Sequence, residues 1–445
     1  MKKVLFIAYY FPPLGWSGVQ RSLKFVKYLR CFNWEPIVVT VKNSSFCIKD
    51  DSLFNDIPPD LKVIRIEELP SAKYTNDLTE QLKESMSHVL NMLPDSYYNF
   101  YENSFKNSFK TIRSLLALPD DQTLWGYNVL KKIESEVNFN NIDMIYSTSG
   151  PYSAHFIGYN LKQKHNIPWV ADFRDEWTNY PGSNIDKNNI IYKIQEELET
   201  RILNFCDKVL TISPICKTNY INIFKLNTSK VQVITNGYDE EDFVNINISK
   251  KNDKFTIVYN GSLYPPRKPD TFLCAVNNLI NKNLIPKDKI SIKFIGTCTP
   301  DIYNDIFKND IYHITQYLAY LSHKDSLQQT ANADLLLLII GSNPKVKCVY
   351  TGKVFEYIRL KKPILALSPS GSVVDELLNK TNCGKNIDFS DIPGIEGYIY
   401  QQYVNWTKNI SINTNENEIK QFERKSLTSN LSTVFDEILS SYPQI

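Results

Sequence analysis

The stretch "CVYTGKVFEYIRLKKPILAL", residues 348 to 367, sets a lysine and a glutamate at a spacing that chemistry can use. Its pattern predicts a helix with Thr351 and Gly352 at the N-terminus, Lys353 in the first turn and Glu356 one turn later. Free backbone N–H groups and an ammonium suit phosphate oxygens, and a carboxylate one turn deeper suits the two hydroxyls of a ribose. A capped helix with a solvated Lys353 and Glu356 fits the same letters. In "YNGSLYPPRKPDTFL", residues 259 to 273, Gly261 joins a strand to a helix whose start carries Arg267 and Lys268. A guanidinium and an ammonium there would pair with a diphosphate. The opening "VLFIAYYFPPLGWSGVQRSLKFVKYL" again runs strand, bare turn and helix, with Gly15 and Gly18 in the turn. An anion is favoured at such a helix start by hydrogen bonds and by the dipole. A tight turn with no ligand explains the glycines equally well.

These residues need a frame of strands. Short aliphatic runs bounded by turn residues are expected at Val4–Tyr10, Glu35–Val41, Lys62–Ile66, Met144–Thr148, Trp169–Asp172, Lys208–Ile212 and Val231–Ile234. A polar stretch follows, and the pattern restarts at Phe255–Tyr259, Ser291–Ile295, Leu335–Ile339 and Pro363–Leu367. Strands alternating with helices imply an α/β fold with parallel sheets covered on both faces. The expected architecture is two Rossmann-like, doubly wound domains, 1–245 and 246–445, facing one another across a cleft that takes the ligand. Residues 70–130 break the alternation. Within them Phe105, Phe109, Ile112 and Leu116 share a helical face while Lys106, Lys110 and Arg113 lie elsewhere. That pattern fits a helical insertion packed on the first domain, or a basic helix resting on anionic lipid.

Composition narrows the classes. The 445 residues, 42% hydrophobic and 22% charged, match a soluble globular chain of more than one domain. A net charge of +2 gives no global field for nucleic acid. Eight cysteines form no C-x-x-C pair and no zinc spacing with the histidines, so buried free thiols are expected, Cys206 and Cys274 among them. Lys2 and Lys3 precede an apolar run, but Pro12 and Pro13 end it, and no export signal is read there. The longest aliphatic run, Leu335–Ile340, is far below the roughly 20 residues of a membrane span. G-x-G-x-x-G is absent and the second strand carries no acid, which disfavours a dinucleotide oxidoreductase.

Read in order, "YYFPPLGWSGVQR", "PWVADFRDEW", "VITNGYDEEDF", "YNGSLYPPRK", "TGKVFEYIRLKKPILAL" and "QFERKSLTSNLSTVFDEIL" resemble a bacterial glycosyltransferase of family 4 over essentially the whole chain. The resemblance implies the GT-B architecture, with the last helix able to pack back on the first domain. It implies a retaining transfer of a hexosyl or N-acetylhexosaminyl group from a nucleotide-diphosphate sugar, UDP-sugar foremost, to a lipid-linked or saccharide acceptor. Surface polysaccharide assembly, capsule or lipopolysaccharide, is the setting it suggests. By this resemblance Gly15 and Gly18 face the diphosphate and the transferred sugar. Arg267 and Lys268 meet the phosphates near Gly261, and Glu356 is the second acid of an E-x7-E motif. Two positions depart from the pattern: Cys348 stands where the first acid belongs, and Ser262 where an arginine follows the glycine. "DFRDEW" replaces a customary histidine, so Asp172, Arg174 and Asp175 are candidates for acceptor or sugar, while an Arg174–Asp175 pair across a turn would explain two of them. No D-x-D occurs, and the expected catalysis is metal-independent. The expected location is cytoplasmic, peripheral to the inner face of the plasma membrane if the insertion binds lipid. A GT-B nucleotide-sugar epimerase and a catalytically silent partner of another transferase are the alternatives.

Overall fold

The computed structural model describes residues 1–15, 17–44, 48–68, 92, 118–180, 186–247, 252–265, 267–308 and 311–442. Most of the insertion, including Phe105 to Leu116, lies outside them. The chain divides into two compact units. One comprises residues 1–212, 216–234 and 428–445, the other residues 213–215 and 235–427.

The first unit is built on seven strands: β1 (Lys2–Ile7), β2 (Trp34–Val41), β3 (Val63–Ile66), β4 (Met144–Thr148), β5 (Trp169–Phe173), β6 (Lys208–Thr211) and β7 (Val231–Val233). They lie in the order β3-β2-β1-β4-β5-β6-β7, and every pairing is parallel. The second unit holds β8 (Phe255–Asn260), β9 (Ile290–Ile295), β10 (Thr315–Leu318), β11 (Leu335–Ile339), β12 (Ile364–Leu367) and β13 (Gly384–Ile387). Their order is β10-β9-β8-β11-β12-β13, again all parallel. In both sheets the order reverses once, between β1 and β4 and between β8 and β11. Crevices for ligands form beyond the carboxyl ends of the strands at such reversals.

Burial on both faces explains the aliphatic strands. In β11, Leu335, Leu337 and Ile339 pack with Phe272, Val276, Ile395 and Ile399 on one face of the sheet. Leu336 and Leu338 pack with Val354, Phe355, Ile358 and Leu377 on the other. Strand alternation thus sends adjacent leucines into two separate cores. The last helix, Arg424–Ser441, belongs to the first unit from Thr428 onward, where Phe435 meets Trp34 edge-on at 5.1 Å and Asp436 accepts from the Trp34 indole at 3.0 Å.

β10 and β13 were not among the expected strands. Both are sheet edges, four residues long and only partly buried, so they lack the aliphatic run that marks a central strand. Val4–Tyr10 was expected as one strand, but β1 ends at Ile7, and residues 8 to 10 already belong to the turn. All seven described cysteines are free thiols, and Cys206 is buried as expected, whereas Cys274 is exposed on the outer face of helix Asp270–Asn281.

Candidate functional site

At the reversal of the first sheet, three turns converge on one guanidinium. Arg174, directly after β5, donates through one terminal nitrogen to the Gly18 carbonyl and through the other to the Gly150 carbonyl at 3.0 Å. Its guanidinium carbon lies 5.7 Å from the Tyr10 ring centre. A Cβ on Gly18 would sit 2.8 Å from an Arg174 nitrogen, so a side chain there would push the guanidinium off its carbonyl partners. Gly15 is fixed on its other side. Its N–H donates to the Ile48 carbonyl at 3.0 Å, and a Cβ there would meet Asp50 at 2.8 Å. The bare turn is therefore a tightly packed one, stapled by Arg174 to the turns after β4 and β5.

Asp172 lies behind this surface with no exposure. Its carboxylate accepts two bonds from Arg21, at 2.7 and 2.8 Å, one from Tyr146 at 2.6 Å and one from Thr148 at 2.9 Å. Burial pushes the carboxyl up, but Arg21 and the hydroxyls outweigh it and hold the group below the usual carboxylate range. Asp172 is thus committed to organising strand ends and the helix Ser17–Leu29. Asp175 is different: its side chain is 54% exposed, and its contact with Arg174 is a loose 4.0 Å. The rest of that turn is anchored by Glu199, which accepts from the Thr178 N–H at 3.0 Å and its hydroxyl at 2.5 Å.

The second unit gathers a separate cluster at its own reversal. Gly261 follows β8 with φ +145°, and Gly296 follows β9 with φ +122°, both in backbone territory that favours glycine. A Cβ on Gly296 would meet the Gly261 carbonyl oxygen at 2.6 Å, and one on Gly261 would overlap the Lys353 ammonium. Lys353 reaches back from helix Gly352–Leu360 so that its Nζ lies 4.4 Å from the centre of the Tyr259 ring. Burial, and then the charge of Arg267, lower its pKa to about 7, with Glu356 opposing. Arg267 folds over the Tyr264 ring at 5.1 Å, while Lys268 is half-buried beside it. Thr351, at the N-cap, is buried with its hydroxyl unpartnered, and Gly352 next to it leaves open space where a Cβ would stand. Glu356 Oε1 bonds His323 Nε2 at 2.9 Å. Cys348 is buried with its thiol 3.5 Å from the Lys345 carbonyl oxygen.

The structure therefore gathers Gly261, Arg267, Lys353 and Glu356 about one helix start with Thr351 and Gly352, and gathers Gly15, Gly18, Arg174 and Asp175 about another turn. Sequence reasoning missed His323, Gly296, Arg21 and Gly150. The signal for Gly296 was present, since it follows an aliphatic run in the way Gly261 does. His323 carried none, because its partner lies 33 residues further along.

Residues 72–242 match the model of Glycosyltransferase Family 4. No curated protein matches the chain. Among solved structures, the sucrose-phosphate synthase of Thermosynechococcus elongatus aligns over 99% of this chain and 100% of its own, with TM-score 0.66 and 11% identity. Anabaena HepE, in complex with UDP and glucose, aligns over 99% and 100%, with TM-score 0.61 and 14% identity. WaaG, a glycosyltransferase involved in lipopolysaccharide biosynthesis, aligns over 99% and 100%, with TM-score 0.55 and 11% identity. The comparisons define the fold, which is of the GT-B type, and residues 72–242 of the first unit are similar to glycosyltransferase family 4. Among the described residues no helix is long and apolar enough to cross a membrane.

Proposed function

We propose that this chain moves a hexosyl or N-acetylhexosaminyl group from a nucleotide-diphosphate sugar to an acceptor hydroxyl, with retention at the anomeric carbon. The observation that carries this reading is the helix start at the second sheet's reversal. There, the backbone N–H groups of a helix start without a side-chain cap, the buried unpartnered Thr351 hydroxyl and the Lys353 ammonium stand one turn from the Glu356 carboxylate. Phosphate oxygens fit the first three, and ribose hydroxyls fit the last. Arg267 and Lys268 meet the charge that grows on the leaving diphosphate, which is stabilisation by donors already in place. The acceptor oxygen attacks the anomeric carbon on the face the diphosphate leaves. As that carbon–oxygen bond breaks, the acceptor proton passes to a departing phosphate oxygen, so no enzymic carboxylate and no metal is needed. Asp175 is the exposed acid available to an acceptor, and Gly15 and Gly18 form the turn that meets the sugar. Support for UDP as the nucleotide comes from HepE, and for surface-polysaccharide or glycolipid assembly from WaaG. A lipid-linked or saccharide acceptor at the inner membrane face accords with that setting.

The test is calorimetric titration of UDP, GDP and ADP into the wild type and Glu356→Gln. An ionised acceptor bonding ribose hydroxyls contributes roughly 1.5–3 kcal/mol, so the variant should lose about 10- to 100-fold in affinity while keeping its fold. Equal affinities would remove Glu356 from the site. Retained activity after exhaustive EDTA treatment is expected, and loss restored by manganese or magnesium would overturn the metal-free mechanism.

A further inference from the structure

The Glu356 carboxylate is gripped from one side only. Oε1 bonds His323 Nε2 at 2.9 Å, and both side chains are about one-fifth exposed, 21% and 22%. No hydrogen bond to Oε2 is made by the described residues. The imidazole comes from another element, and that element is itself well fixed. His323 opens helix His323–Ala331, and Ser322 before it accepts from the Asp325 N–H at 3.2 Å and donates to the Asp325 carboxylate at 2.7 Å. This helix end is therefore capped, and the imidazole leaves it at a defined point.

A glutamate has three rotatable side-chain bonds, and a ligand that bonds it must otherwise bear the cost of ordering them. We propose that His323 is a positioning residue for ribose recognition: it fixes Oε1 of Glu356 so that Oε2 is presented, already ordered, to a ribose hydroxyl of the bound nucleotide. The proposal rests on the nucleotide reading of this helix start, and it assigns to His323 a share of the discrimination between nucleotides that carry ribose hydroxyls and those that lack them.

The experiment compares UDP, GDP and ADP with their 2′,3′-dideoxy forms by calorimetry, on the wild type, His323→Ala and His323→Gln. A dideoxy nucleotide offers Glu356 no hydroxyl and so cannot sense how the carboxylate is held. His323→Ala should weaken the ribonucleotide about tenfold, leave the dideoxy form unchanged, and thus shrink the ratio of the two affinities. His323→Gln, which keeps an N–H donor, should recover part of that ratio. Equal weakening of both nucleotides, or an unchanged ratio, would overturn the proposal and leave His323 a merely structural residue. Failure of every nucleotide to bind the wild type would overturn the nucleotide reading itself, and this proposal with it. Circular dichroism of each variant separates loss of binding from loss of fold.

Discussion

Lys353 shows how far a residue's chemistry depends on its surroundings. Burial and the charge of Arg267 lower its pKa to about 7, so it loses its charge as pH rises through neutrality. A bound diphosphate favours the ammonium and raises that pKa again. Donor binding should therefore take up a proton above pH 7, with affinity greatest below 7 and falling as pH rises from about 7 to 9. A nucleotide sugar is the right probe, because its diphosphate is esterified at both ends and does not titrate near 7. Calorimetry in two buffers of different ionisation enthalpy reads the uptake directly, and zero uptake at pH 8 would separate Lys353 from the phosphates. Gly261→Ala should weaken the donor through the same contact, because a Cβ there displaces the Lys353 ammonium and strains a backbone at φ +145°. Lys353 and Glu356 were legible in the sequence because one helix sets their spacing. His323 was not, because only the fold of the second sheet brings the helix His323–Ala331 to Glu356.

Among elements, the turns after β1, β4 and β5 are held by side chains that sequence reasoning placed in the chemistry. Arg174 bonds two carbonyls, and Asp172 stands behind it on Arg21 and Tyr146. Asp172→Asn leaves the Arg21 charge buried and unbalanced, and breaking such a pair costs about 3–5 kcal/mol. Urea unfolding should show that loss, and a change below 1 kcal/mol would contradict the buried network. Arg174→Lys should not rescue Arg174→Ala, since one ammonium does not reproduce a fork that reaches two carbonyls at once. Turnover in the two variants should fall alike, and full activity in the lysine variant would show that charge alone matters. Central strands were legible because burial on both faces demands continuous aliphatic letters. Edge strands β10 and β13 were not, since one side of each meets no neighbouring strand and polar residues are tolerated.

Across the whole molecule, the same order of six strands occurs twice, with a seventh added to the first sheet, and each reversal carries a glycine turn with a cation held over it: Arg174 at Gly18 and Lys353 at Gly261. The repeated grammar of strands and glycine turns made the two sheets readable from the sequence, and both belong to a fold of the GT-B type. Cys348 shows the limit of that reading, because a buried thiol at the place of an acid leaves the contacts of the transferred sugar open to other residues. The central claim, transfer of a sugar from a nucleotide donor, is tested most directly by following a labelled sugar. The protein is incubated with each of a panel of labelled UDP-, GDP- and ADP-sugars together with a bacterial lipid and saccharide extract. Label should move from one nucleotide sugar into an acceptor-linked product, with one nucleoside diphosphate released per sugar transferred and the anomeric configuration kept. A nucleotide sugar that is epimerised without any acceptor, or label that remains on every nucleotide throughout, would contradict the account.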